Sequence, residues 1–163
     1  MSRKTLELIH TGKTQQAGEN TPMADPPVSM PEASVSAALS ASLAPQLDRY
    51  LSNVLLQIGI PANKMGYRFL REAVRIALQD PALLNRLMHG LYPLVAEKYN
   101  TTVYCVEHSM RMAIHAAWNR GRPELVEKLL GRGVITAYER PTNGELIALL
   151  AENARLLMQE GRL

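Results

Sequence analysis

Cysteine, tryptophan and phenylalanine each occur once in this 163-residue chain, as Cys105, Trp118 and Phe69. A single cysteine excludes an internal disulfide, and with it the stapled scaffolds of small secreted proteins. It fits a reducing compartment. With few aromatics, the core must be built from aliphatic side chains and methionine, which suits a helical protein. Hydrophobic residues make up 47% of the chain, enough for such a core. No apolar run approaches the roughly 20 residues that span a bilayer. The opening MSRKTLELIHTGK is basic but lacks the roughly 7–15-residue apolar segment of a signal peptide. The chain is therefore expected to be soluble and cytoplasmic, with no membrane partner. Period-two alternation, internal repeats and a glycine-rich phosphate loop are also missing.

Strong net charge is missing too. The formal balance is +3. Residues 1–45 hold three basic side chains (Arg3, Lys4, Lys13) and four acidic ones (Glu7, Glu19, Asp25, Glu32), so the remainder carries +4. That balance permits a polyanionic partner without demanding one.

Five of the ten prolines, with many Ser, Ala, Thr and Gln, fall before residue 46. Such a segment buries too little apolar surface to offset its ordering entropy. Residues 1–45 are expected to form a disordered tail, either an inert linker or a docking segment. A transient helix over 33–44 is the most ordered state expected of it.

From Gln46 the pattern becomes helical. Leu47, Tyr50, Leu51, Val54, Leu55 and Ile58 share one face, and Gly59-Ile60-Pro61 ends the helix. Tyr67, Leu70, Val74, Ala77 and Leu78 mark a second helix. Its other side carries Arg68, Arg71 and Arg75, expected to be a solvated face beside Glu72. Asp80-Pro81 starts a third, with Leu83, Leu84, Leu87, Met88 and Leu91 inward. His89-Gly90 is a candidate interruption before Tyr92-Pro93 begins a fourth, with Tyr92, Val95, Ala96 and Tyr99 inward. Asn100 closes it in a left-handed conformation. Thr102 caps a fifth helix, whose stripe is Val106, Met110, Ala113, Ile114, Ala117 and Trp118, up to Gly121. Pro123 opens a sixth, followed by a loop over 131–140. Thr142-Asn143-Gly144-Glu145 is a capping box for the last helix. The expectation is an all-α, compact six- to seven-helix domain over 46–160 that contains a helix-turn-helix.

Residues 92–121 carry the candidate function. A short helix, a tight turn and a longer helix with a polar outward face have the form of a helix-turn-helix. In that arrangement the second helix enters the major groove. Its candidate DNA-binding residues are Thr101, Thr102, Tyr104, Cys105, Glu107, His108, Arg111, Met112 and His115. Arg111 can fork onto guanine, Glu107 can accept from a cytosine amino group, and His108 can meet base edges or phosphates. Thr101 and Thr102 can hold a phosphate through hydroxyls and backbone N–H groups. The same face also fits a plain solvated helix of a bundle, and the pattern alone leaves both readings open. Cys105 and His108 lie one turn apart, but no orienting third group or further ligand accompanies them. Neither catalysis nor a metal or other cofactor is expected.

Four stretches carry a resemblance: IGIPANKMGYRFLREAV (58–74), LYPLVAEKYNTT (91–102), the frame V-E-x-x-x-R-x-A-I-x-x-A-W-x-R-G (106–121) and RPTNGELIALLAENARL (140–156). Over residues 47–158 the chain resembles the C-terminal effector domain of stage zero sporulation protein A, a response regulator that starts endospore formation. The resemblance implies an all-helical domain whose helix-turn-helix binds double-stranded promoter DNA. It also implies contacts with RNA polymerase and its sigma factor, and a homodimer on tandem sites. It places the groove-facing helix at 103–118, with Glu107 and Arg111 on the DNA side.

The chain departs from the family in two ways. Family members typically begin this helix Pro-Ser-Arg-Val-Glu-Arg, so two expected arginines are Cys105 and His108 here, and Met112 replaces a histidine. The departures imply an altered target, with Tyr104 and Met112 available to thymine methyls. The family also carries an N-terminal phosphoreceiver, for which the tail has no counterpart. Receiver control, its dimerisation and its divalent metal are expected to be absent, whether the chain is a paralogue or a fragment. An interaction protein that modulates the polymerase or a full-length regulator is the alternative function.

Overall fold

The protein's structure, a computed structural model, describes residues 32–119 and 140–163, with side chains from residue 43 onward. The tail up to residue 31, the close at Gly121, the helix expected from Pro123 and the loop up to residue 139 lie outside the described residues. Among the described residues there are five α-helices: α1 (Glu32–Ile58), α2 (Met65–Gln79), α3 (Tyr92–Lys98), α4 (Val103–Asn119) and α5 (Asn143–Gln159). No strand occurs among the described residues. The all-α class follows the periodicity.

Helix α1 begins at Glu32, well before the expected Gln46, and runs through Pro45. Proline inside a helix removes one backbone bond. Among the described side chains of α1, Leu51, Val54, Leu55 and Ile58 are buried. The end of α1 follows the expected logic. Gly59 takes φ 97°, and the amides of Gly59 and Ile60 bond back to the carbonyls of Leu56 and Leu55. This pair of bonds satisfies carbonyls that the helix would otherwise leave open.

Helix α2 lies between α1, α4 and α5 and buries Phe69, Leu70, Ala73, Val74 and Ala77. Of its three arginines, Arg68 is exposed as expected, while the other two are not simply solvated. Arg71 and Arg75 both pair with Asp48 of α1, the former at 3.1 Å. Arg71 also lies over the Tyr67 ring, 5.8 Å from its centroid. Glu72 is buried and reaches Lys98 of α3 at 2.6 Å. The helix is thus fastened on both sides by charge as well as by its apolar face. Tyr50 adds a link from α1 to α5, donating to Asn153 Oδ1 at 2.7 Å. Burial pushes its hydroxyl up to about 12.

The third element differs from expectation. Asp80 caps it as predicted, accepting from the Ala82 amide at 3.0 Å. The backbone then forms a 3₁₀ helix (Pro81–Arg86) and a π turn (Leu87–Leu91) that leads directly into α3. Neither has the 3.6-residue period on which the inward stripe was drawn. Only Leu91 of that stripe is fully buried, and Met88 is exposed.

At Gly66 the backbone of α2 lies close against α4. A Cβ there would fall on the Ser109 carbonyl and 2.7 Å from the Ala113 Cβ. Two backbones separated by so little leave no room for a side chain. Gly66→Ala is expected to lower stability by about 1–3 kcal/mol through overpacking, read as a shift of the urea midpoint with unchanged slope. A variant as stable as the parent would rule out the close contact.

Asp48 makes the fold sensitive to acid. Burial alone would raise its carboxyl, but the hydrogen bonds and charges of Arg75 and Arg71 outweigh this and hold it below its ordinary value of 3.8. A lowered folded value contributes stability that is complete above the unfolded value and is lost as pH falls through the folded one. The stability gap between the parent and Asp48→Asn should therefore be widest near about pH 6 and close towards about pH 2. Denaturant melts at several pH values check this, and a gap independent of pH would contradict it.

Candidate nucleic-acid interface

Helices α3 and α4 are joined by residues 99–102, and local bonds fix the joint. Asn100 has φ 48°, the left-handed conformation expected of it. The amides of Asn100 and Thr101 bond to the carbonyls of Glu97 and Ala96 at 3.1 and 2.9 Å. Thr102 then caps α4, its Oγ1 accepting from the Cys105 amide at 3.1 Å. One turn ends a helix and starts the next with no spare residue. The Thr101 amide is committed to α3, which leaves the half-buried Thr101 its hydroxyl. The exposed Thr102 hydroxyl remains in place at the start of α4.

The inward stripe of α4 matches its periodicity. Val106, Met110, Ala113, Ile114 and Ala117 are buried, and Trp118 packs partly buried at the far end. Tyr92, Val95 and Ala96 of α3 are buried in the same core. Tyr99 meets Phe69 edge to face at 5.1 Å, a favoured aromatic geometry.

Outward, the nine candidate residues separate into two groups. Thr102, Tyr104, His108, Arg111 and Met112 are exposed, with Tyr104 at 71% the most open large hydrophobic side chain among the described residues. Thr101, Cys105, Glu107 and His115 are half-buried. Cys105 turns towards Ser109, 3.8 Å from its hydroxyl, and packs against the core. His115 lies 3.3 Å from the Asn119 side chain.

The exposed group is tied together. Tyr104 and His108 stack with centroids 5.9 Å apart and planes 13° from parallel. His108 Nδ1 lies 3.3 Å from Arg111 Nη2, and Arg111 Nε lies 3.4 Å from Glu107. A row of four side chains therefore runs along the first three turns, with two rings at one end and a cation–anion pair at the other. Such a row offers ring faces, one guanidinium fork and one carboxylate acceptor to base edges. Among the described residues, no group of three or more His, Cys, Asp or Glu side chains could hold a metal ion. No helix there is long and apolar enough to cross a membrane.

The start of α5 also belongs to this region, and sequence reasoning missed it. A cleft of about 340 Å³ is lined by Glu107 and Arg111 of α4, by Leu87, Met88 and Tyr92, and by residues 140–144. Asn143 is buried here, and its Nδ2 donates to the Glu107 carbonyl at 3.0 Å. Burial raises the Tyr92 hydroxyl above its ordinary value, a hydrogen bond with Asn143 pulls it partly back, and the Glu107 charge adds to the rise. The capping box closes as predicted, with Thr142 N–H donating to Glu145 Oε2 at 2.8 Å and Glu145 N–H to Thr142 Oγ1 at 3.3 Å. The residues Thr-Asn-Gly-Glu were legible as a helix start. Nothing local showed that Asn143 reaches across to the recognition helix.

Asn143→Ala leaves the Glu107 carbonyl without this donor and is expected to cost about 1–3 kcal/mol. Thermal and urea melts measure it. A loss no larger than that of an exposed-site control would show that the bond carries nothing.

With this geometry in place, the comparison with known families is specific. Residues 51–154, more than half of the chain and all of the region from α2 to the start of the last turns of α5, match the family described as "Sporulation initiation factor Spo0A C terminal". That family is one of DNA-binding effector domains and not of enzymes. The chain belongs to the family of C-terminal domains of the sporulation initiation factor Spo0A.

Proposed function

We propose that this chain is a sequence-specific transcription regulator of sporulation or a related developmental switch, reading promoter DNA through the outward face of α4. The observation that carries the proposal is the outward row Tyr104–His108–Arg111–Glu107, exposed except for the half-buried Glu107 and presented by a helix-turn-helix in a member of this family. Arg111 and Glu107 meet base edges in the major groove, while Thr102 meets a phosphate at the start of the helix. Tyr104 and Met112 pack on thymine methyls. Cys105 and His115 sit at the margins, where their partial burial limits them to supporting contacts. With only one guanidinium on this face, the target differs from the family's usual element. Contacts with RNA polymerase and its sigma factor, and pairing of two copies on tandem sites, complete the reading.

A second reading is supported by the balance of the same face. Glu107 and Arg111 neutralise one another, which favours a weak DNA binder that acts by engaging the polymerase or a full-length regulator. The two readings part in a selected-oligonucleotide binding assay with the full chain. Enrichment of a defined motif is the expected result. Arg111→Ala should then relax the preference at one base position by about 1–3 kcal/mol, while the other positions keep theirs. Absence of any enriched motif, together with co-purification of polymerase, would establish the second reading in place of the first.

A further inference from the structure

The loop entering α5 brings a cation beside the recognition face that α4 itself does not supply. Arg140 lines the same cleft as Glu107 and Arg111. Its position is set by the three residues that follow it. Pro141 is buried, Thr142 closes the capping box, and Asn143 is tied to the Glu107 carbonyl at 3.0 Å. The backbone at 140 is thereby referenced to α4, although 36 residues separate Asn143 from Glu107 in the chain. Arg140 itself is exposed. Among the described residues no carboxylate pairs with it.

Charge makes this cation count. Arg111 is the only Lys or Arg of α4, and Glu107 balances it at 3.4 Å. A duplex presents one negative charge per about 1.7 Å of its axis, and a neutral face gains little from that field. Arg140 shifts the cleft from balance to a net positive charge. The placement also favours one part of the duplex. With α4 along the major groove, base edges face α4, and the phosphate strands flank it. A side chain carried by a neighbouring element at the flank of α4 meets a strand and not a base.

We infer that Arg140 is a phosphate-contacting residue of the DNA interface, so that the interface is composite. Helix α4 supplies the base contacts, and the loop before α5 supplies a backbone contact held in register by Asn143. This inference rests on the DNA-binding reading above, but not on its sequence specificity.

The test uses the full chain, a duplex recovered by selection and a scrambled duplex of the same length. Binding is measured by fluorescence anisotropy from about 50 to 200 mM salt. Arg140→Ala should weaken binding to both duplexes by a similar factor and reduce the log–log salt slope by about one. Arg140→Lys should restore the slope, because a point charge suffices for a phosphate. Arg155→Ala, an exposed arginine in the groove between α2 and α5, should leave the slope unchanged. An unchanged slope in Arg140→Ala overturns the inference, and so does a loss confined to the selected duplex, which would assign Arg140 to a base. If the parent binds both duplexes equally and Arg140→Ala still lowers the slope, the phosphate contact stands and sequence-specific reading falls. If the parent binds neither, both fall together.

Discussion

At Gly66 the backbone of α2 comes so near to α4 that the Ser109 carbonyl and the Ala113 methyl occupy the space a side chain would need. Interiors are packed to the density of organic crystals, so a contact this close sets the distance between the two helices within narrow bounds. The rest of the domain is arranged around that distance. Val106, Met110 and Ala117 continue the buried seam of α4 along its length. Helix α2 is in turn fixed by Asp48 on one side and Lys98 on the other. The helix proposed to enter DNA is thus held mainly from behind, and Tyr104, His108 and Met112 on its outer face are exposed and lie outside the core. That separation lets Tyr104, His108 and Met112 vary without disturbing the fold.

Features encoded by neighbouring residues were legible in the chain. The Thr142–Glu145 capping box, the left-handed Asn100, the cap at Thr102 and the stripe of α4 each depend on residues a few positions apart, and each took the expected form. Features that depend on distant partners were not legible. Arg71 and Arg75 had the spacing of a solvated face, yet their partner, Asp48, lies on another helix. Asn143 was legible as part of a helix start, while its contact with Glu107 is non-local. Helix α1 began earlier than expected because a proline marks only a local cost, which neighbouring turns can absorb. Within the candidate site, the outward direction of α4 was right, but burial divides its residues. Cys105, Glu107 and His115 lie at the edge of the stripe, where a helical wheel cannot separate half-buried from exposed.

A count of basic residues overstates the positive surface of this domain. Arg71, Arg75, Lys98, Arg111, Arg155 and Arg162 all lie within ion-pair distance of carboxylates. Charge spent on fastening helices is unavailable for long-range attraction of a polyanion. Among the described residues, the cations without a carboxylate at ion-pair distance are Arg49, Lys64, Arg68, Arg86 and Arg140.

The joined 3₁₀ and π segments, Pro81–Arg86 and Leu87–Leu91, act as a phase adjuster between α2 and the helix-turn-helix. Each residue turns the chain by about 120° in a 3₁₀ helix and by about 100° in the α-helix that follows. Adding or removing one residue here would rotate Tyr92, Val95 and Ala96 away from the seam they fill, whatever the residue was. The length of this stretch is thus constrained more tightly than its side chains, most of which are only partly buried or exposed. Divergence within it should proceed by substitution, with insertions and deletions excluded.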